Sequence, residues 1–236
     1  MSLAAPELLR VLVPPRGRSR VRSLARVLAL AVFAASVLGC GDAAGTFSPS
    51  GACTVDGRAA GAYPELEALV PKAIEDKAAT VDSGRNCSDK ALGTLTSHQL
   101  HELRFAGATV DEGEGNGDVV AVFEAAPGQP PLTAIWIEEL YQAGALASSK
   151  TGNTVTSHPS MGAAGVVYRL DTLNDLSQQT VVVLPIDGRV RVAIVATAVG
   201  PDASKPEHDR RVEAAVAAAA AIPGDVPSSA ASAAPS

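Results

Sequence analysis

Aromatic side chains are scarce. Phe, Trp and Tyr make up 3% of the 236 residues, with one tryptophan, three tyrosines and four phenylalanines. That argues against a carbohydrate-binding platform, which needs stacked rings, and leaves the core to Val, Leu, Ile and Ala. A small apolar pocket is compatible with that composition. Histidine is also rare, and His98, His101, His158 and His208 are dispersed. The chain has no G-x-S-x-G, Walker A, dinucleotide fingerprint or H-E-x-x-H. The sequence signatures of serine hydrolases, P-loop enzymes, Rossmann dehydrogenases and zincins are therefore missing.

What is present begins at the N-terminus. Six arginines (Arg10, Arg16, Arg18, Arg20, Arg22, Arg26) stand against one acid, Glu7, and precede the apolar run Val27–Gly39. A basic segment is held at the cytoplasmic leaflet by anionic lipid and by the cost of moving charge across the bilayer. The run of 13 residues suits a signal-peptide core, whereas a spanning helix needs about 20. It ends at Val37-Leu38-Gly39-Cys40, followed by Gly41 and Asp42. This resembles a bacterial lipoprotein signal peptide with its lipobox. The resemblance covers residues 1 to about 42 and has Val37 where the family commonly has Leu. It implies cleavage before Cys40, a diacylglycerol thioether on its sulfur with acyl chains of the palmitate class, and an extracytoplasmic envelope location. Two acyl chains give stable anchoring where one is marginal. The leader lacks an Arg-Arg pair, which favours the general secretory route.

Removing residues 1–39 sharpens the charge. Subtracting six basic and one acidic residue from 19 and 25 leaves 13 and 24, a net −11. So acidic a domain has no electrostatic reason to bind nucleic acid or anionic headgroups, and membrane contact is expected through lipid alone. With Cys40 assigned to lipid, Cys53 and Cys87 are left as an even pair in an oxidising compartment, which predicts a disulfide. A redox or metal pair would need closer spacing.

The chain divides into the leader (1–39), a tether of small polar residues (40–51), one domain (52–222) and an Ala/Ser/Pro tail (223–236) expected to be disordered. Pro64 suits the first position of a helix carrying Leu66, Leu69 and Val70. Pro71 breaks it, and Ala73–Lys77 reads as a second short turn. Asp82–Cys87 reads as a loop, after which Ser88 caps a short helix through Leu92. Strands are expected at His101–Val110 and Val119–Ala125, joined by Asp111–Asp118 with Asn116-Gly117 as the hairpin signal. Thr133 caps a helix over Ala134–Ala147, striped by Trp136, Leu140, Ala143 and Ala147. Val155 marks an edge strand. Three stronger strands follow, Gly165–Asp171, Thr180–Leu184 and Val190–Val199, with Asp187-Gly188 as a turn and a wet face near Arg189–Ala193. The last helix is Asp209–Ile222.

This order predicts an α+β fold: an antiparallel sheet of about five to six strands with helices packed on one face, a two-layer sandwich. From about Asp118 to Ile222, the strand pair QQTVVVLPIDGRVRVAIVATA and its final helix look like the PsbP-like exported proteins. That resemblance is one of pattern and implies an accessory or lipid-associated binding role without enzymatic activity. It transfers no functional residue.

Candidate chemistry is thin. His98 and His101 stand three apart, a possible two-ligand metal edge, but no Cys or paired carboxylate accompanies them, so surface histidines are the better reading. The acidic loop Asp111–Asp118 fails the EF-hand spacing at Gly113 and Gly115 and reads as a solvated hairpin tip. Ser157 and His158 are sequence neighbours, which usually diverge in space. Trp136 and Leu140 read as core, and their helix face is where a pocket would be sought. The expected function is a lipid-anchored, non-enzymatic envelope lipoprotein that binds a small apolar ligand or another envelope protein. It uses no cofactor, metal or nucleic acid and has no assigned catalytic residue. The alternative is an exported hydrolase whose site lacks a sequence signature.

Overall fold

The computed structural model describes residues 47–149, 153–159, 168–186, 189–199 and 205–221. The leader, Cys40 and the tail 223–236 lie outside the described residues. Among the described residues there are ten strands: β1 Gly57–Ala59, β2 Ala73–Ile74, β3 Lys77–Ala78, β4 Thr80–Asn86, β5 Leu103–Gly113, β6 Asn116–Ala125, β7 Thr154–Pro159, β8 Tyr168–Leu173, β9 Ser177–Ile186 and β10 Arg189–Ala198. The α-helices are α1 Pro64–Glu67, α2 Asp89–Leu92, α3 Ala134–Ser149 and α4 Lys205–Ala220, with a 3-10 helix at Gly93–His98. Eight strands form one sheet in the order β1-β4-β5-β6-β10-β9-β8-β7, and β2 pairs with β3. Every pairing is antiparallel. The fold is mainly antiparallel β.

The two-layer expectation is corrected by how the sheet is covered. Along β10, Val190, Val192 and Ile194 join the apolar cluster of α3's Ile137 and Ala145. Ala193 and Val195, pointing the other way, join Val212, Ala215 and Ala219 of α4. On that second face α1 also packs, through Leu66 onto Ala106, Ala108 and Val122. Helices therefore lie on both faces. Central strands covered on both sides carry continuous apolar runs, as Val181–Leu184 and Val192–Ala196 do.

Three local expectations also change. Asp82–Cys87, read as a loop, lies mostly within β4 because its polar residues point inward to partners: Ser83 and Arg85 are buried. Ala73–Lys77 is a small hairpin whose turn residues, Glu75 and Asp76, have φ of 49° and 63°. The β5–β6 turn is Glu114-Gly115, with φ of 53° and 86°, not Asn116-Gly117. Positive φ at both central residues is what a type I′ two-residue hairpin loop requires. Asn116 instead accepts from the Ala198 N–H at 2.9 Å and so ties the hairpin to β10. For the β9–β10 turn, Ile186 pairs with Arg189, and Asp187-Gly188 lie outside the described residues. Residues 165–167 of the strand expected at Gly165–Asp171 do too.

Ser48–Gly51, within the segment read as a tether, is bonded to the sheet. Arg85, 2% exposed, donates to the carbonyls of Ser48, Gly51 and Ala52 at 2.8–2.9 Å. A buried guanidinium needs acceptors, and it takes them from Ser48–Ala52. Tyr63 adds a bond from its hydroxyl to the Pro49 carbonyl, 3.2 Å.

Gly84 stands opposite Arg58 where β1 pairs with β4. A Cβ there would lie 2.2 Å from the Gly57 carbonyl oxygen and 2.7 Å from the Arg58 Cβ. Gly84→Ala is expected to cost about 2 kcal/mol through backbone displacement. The loss should show as a lower urea midpoint together with faster amide exchange at Gly57–Ala59. Unchanged protection of β1 would mean that the strand yields without separating.

Candidate functional site

Two regions gather the chemistry-bearing side chains. The first is the outer end of α3. Thr133 caps this helix, its Oγ1 accepting from the Trp136 N–H at 3.4 Å. His98, at the end of the 3-10 helix, stacks on Trp136 with ring centroids 4.5 Å apart and planes 11° from parallel. Its Nε2 lies 2.6 Å from Glu139 Oε2. This sandwich clamps the 3-10 helix to α3. His101 is not part of it: its backbone N–H donates to Gln129 Oε1 at 2.6 Å, and the residue is exposed. Among the described residues no group of three or more His, Cys, Asp or Glu is placed to hold a metal.

The expected stripe on α3 is rotated. Ile137 and Ala145 are the buried positions, Trp136, Leu140 and Tyr141 flank them, and Ala143 and Ala147 are exposed. Beneath the helix Tyr168 is 1% exposed, and its hydroxyl has no partner among the described residues. Burial raises the Tyr168 phenol, with the Glu138 charge adding to it. Glu138 itself is raised by burial and by Glu139.

The second region is a polar seam beneath α4. His208, 1% exposed, lies between two strands of the sheet. Its Nε2 is 2.8 Å from Thr180 Oγ1 of β9, and its Nδ1 is 2.8 Å from Thr197 Oγ1 of β10. The proton positions follow from the neighbours. Thr180 donates its hydroxyl to Asp171 Oδ1 at 2.5 Å, so it can only accept from His208, and Nε2 carries the hydrogen. Nδ1 of the neutral ring then accepts from the Thr197 hydroxyl, whose oxygen in turn receives Arg211 at 3.3 Å. Arg211 continues the seam to Asp118 Oδ1 at 2.7 Å and Glu112 at 3.5 Å. At the other end Arg169 pairs with Asp171 and with Asp209 at 3.0 and 3.2 Å. Burial holds the His208 imidazole down to about 4, against the opposing pull of Asp209 and Asp171. Burial also raises Asp118, although Arg211 acts to lower it.

The seam is a scaffold. Nucleophilic catalysis needs an accessible histidine with a hydroxyl on one nitrogen and a carboxylate on the other. Both nitrogens of His208 are occupied by threonines under a helix. Ser157 pairs with Leu170 and His158 with Arg169 on β8, so adjacent positions on β7 face opposite sides. His158 reaches Asp171 at 3.3 Å from a half-exposed position. The acidic loop contributes structure: Glu112 pairs with Lys77, and Asp111 Oδ1 accepts from the Gly113 N–H at 2.8 Å. Arg191, expected on a wet face, is 5% exposed and donates to the Ala219 carbonyl at 2.8 Å, at the C-terminal end of α4 where a cation is favoured.

Sequence reasoning missed the seam. Its trace was there in isolated polar residues inside apolar segments: Thr180 before VVVL, Thr197 within VATA, and His208 and Arg211 near the start of an alanine-rich helix.

Cys53 and Cys87 are bridged, with Cα atoms 5.4 Å apart. No helix among the described residues is long and apolar enough to cross a membrane. Compared with known proteins, the chain matches no family model, no curated protein and no solved structure.

Proposed function

We propose that this protein is a lipid-anchored, non-enzymatic envelope lipoprotein whose folded domain is an accessory or binding module. Its partner is a small apolar ligand or another envelope protein, as the likeness to PsbP-like exported proteins implies. The observation that carries the reading is the N-terminal pattern: six arginines, a 13-residue apolar run and Val37-Leu38-Gly39-Cys40. Seven residue steps separate Cys40 from Phe47, the first described residue. They span at most about 25 Å, so an anchored domain stays close to the bilayer. The occupied nitrogens of His208 and the ion-paired carboxylates support a structural rather than catalytic use of the polar residues.

The test is Cys40→Ser expressed in the native host. The wild type should partition with membranes and into detergent, and its N-terminal peptide should carry diacylglycerol mass on Cys40. The variant should lose both. If the variant still partitions with membranes, the anchor reading is wrong. Mass spectrometry of lipids and proteins co-purified with the native form then separates the ligand from the protein-partner version.

A further inference from the structure

α4 carries little hydrocarbon onto the sheet. Its buried apolar residues are Val212, Ala215 and Ala219, with Val216 and Ala218 at the margin. Hydrophobic attachment scales with area, so one buried valine and two buried alanines are a weak hold for a 16-residue helix. The other contacts between α4 and the sheet are polar: His208 to Thr180 and Thr197, Arg211 to Asp118, Arg169 to Asp209, and Arg191 to the Ala219 carbonyl. Histidine is the member of this set whose ordinary titration falls between pH 5 and 8.

We propose that α4 is an acid-released latch: protonation of His208 frees Lys205–Ala220 from the sheet and uncovers Val182, Leu184, Ala193 and Val195. The neutral ring needs one acceptor and one donor and has both. An imidazolium donates from both nitrogens. Its new Nδ1–H would point at Thr197, whose oxygen already receives Arg211 and whose hydroxyl would lose its acceptor. Among the described residues the surrounding charges offer no spare anion. On α4, Asp209 is paired with Lys205 and Arg169, and Arg211 adds a cation. On β8, Asp171 is shared by Arg169 and by His158 of β7. On β6, Asp118 is taken by Arg211, and Glu112 of β5 is shared between Arg211 and Lys77 of β3. Glu75, in the β2–β3 turn, pairs with Arg210. From β10 comes another cation, Arg191.

The sign follows from linkage. The released ring titrates at its ordinary 6.5 and the latched ring at about 4. Below pH 6.5 the open form binds the extra proton, so opening gains as pH falls from about 6.5 to about 4 and gains no more below that. From pH 7 to pH 5 the open-to-closed ratio rises about 20-fold on these values.

Hydrogen exchange on the full-length protein with its disulfide intact tests this, with exchange rates corrected for the intrinsic effect of pH. Peptides covering 205–220 should lose about 20-fold in protection at pH 5 relative to pH 7, while 134–149 on the opposite face keep theirs. His208→Gln keeps a donor and an acceptor but cannot titrate, and it should remove the pH dependence. Three results overturn the latch: equal protection of α4 at both pH values, the same pH dependence in H208Q, or joint loss by α3 and α4. If H208Q does not fold, NMR titration of His208 in the wild type decides. A midpoint near 6.5 in the folded protein overturns the proposal, and one near 4 supports it.

Discussion

Asp118→Ala is expected to lower stability by about 3–5 kcal/mol, a loss read directly from the urea midpoint at unchanged slope. Asp118 is 1% exposed and Arg211 4% exposed, and their oxygen and nitrogen are 2.7 Å apart. Removing the carboxylate leaves a guanidinium that α4 and the sheet still enclose, with Glu112 at 3.5 Å as a remote substitute. Nε of Arg211 already lacks a partner among the described residues. The cost does not measure what the pair contributes. Burial, with the charges of Glu112 and Glu75, raises Asp118 despite Arg211, and desolvation of both members offsets much of the attraction in a buried pair. The double variant Asp118→Leu with Arg211→Met should therefore recover most of the loss, ending within about 1 kcal/mol of wild type. A single-variant loss below about 1 kcal/mol would show that Arg211 escapes to solvent. A double variant as unstable as the single one would show that the pair itself holds α4.

How much of this could be read in the sequence depends on the length scale of the signal. The strands β5, β6, β9 and β10 and the helix α3 were legible because their periodicity and turn chemistry are local. Thr133 and Ser88 both act as the caps their positions imply. The coverage of both faces was also written in the chain. Val181–Leu184 and Val192–Ala196 are continuous rather than alternating, and a strand with one wet face would alternate. β4 was hidden because a strand made of Thr, Asp, Ser, Gly, Arg and Asn has loop composition. Only the partners of Ser83 and Arg85, 20 and 37 residues away at Tyr63 and Ser48, make its burial tolerable. The seam was out of reach for the same reason. Thr180 and His208 are 28 residues apart and Arg211 and Asp118 are 93 apart, so no local pattern announces them. The turn at Glu114-Gly115 was displaced by two residues because Asn116-Gly117 is the stronger dipeptide signal, and Asn116 was needed to bond β10 instead.

Reducing the Cys53–Cys87 bridge, or replacing both cysteines with serine, is expected to cost about 4 kcal/mol. The bridge joins positions 34 apart, and on the chain-entropy argument its effect lies mainly in the unfolded chain, which it deprives of loop freedom. The enclosed segment contains β1, α1, β2, β3 and all of β4, and so one edge of the sheet. The native structure itself should change little, because Asp56 also holds the same corner. Its Oδ1 accepts from the N–H groups of Cys87 and Ser88 at 2.5 and 2.8 Å. Burial pushes the Asp56 carboxyl up, but these bonds and the Ser88 hydroxyl keep it below the ordinary carboxylate value. The expected signature is a lower unfolding midpoint with an unchanged far-ultraviolet spectrum at neutral pH. Asp56 then adds a pH dependence: the stability it contributes is present above its unfolded value of 3.8 and is lost as pH falls through the lower folded value. Corner and bridge act on the same ends, so Asp56→Ala should cost more in the reduced protein than in the oxidised one. Equal costs in both redox states would show that the bridge and the Asp56 corner stabilise the edge independently.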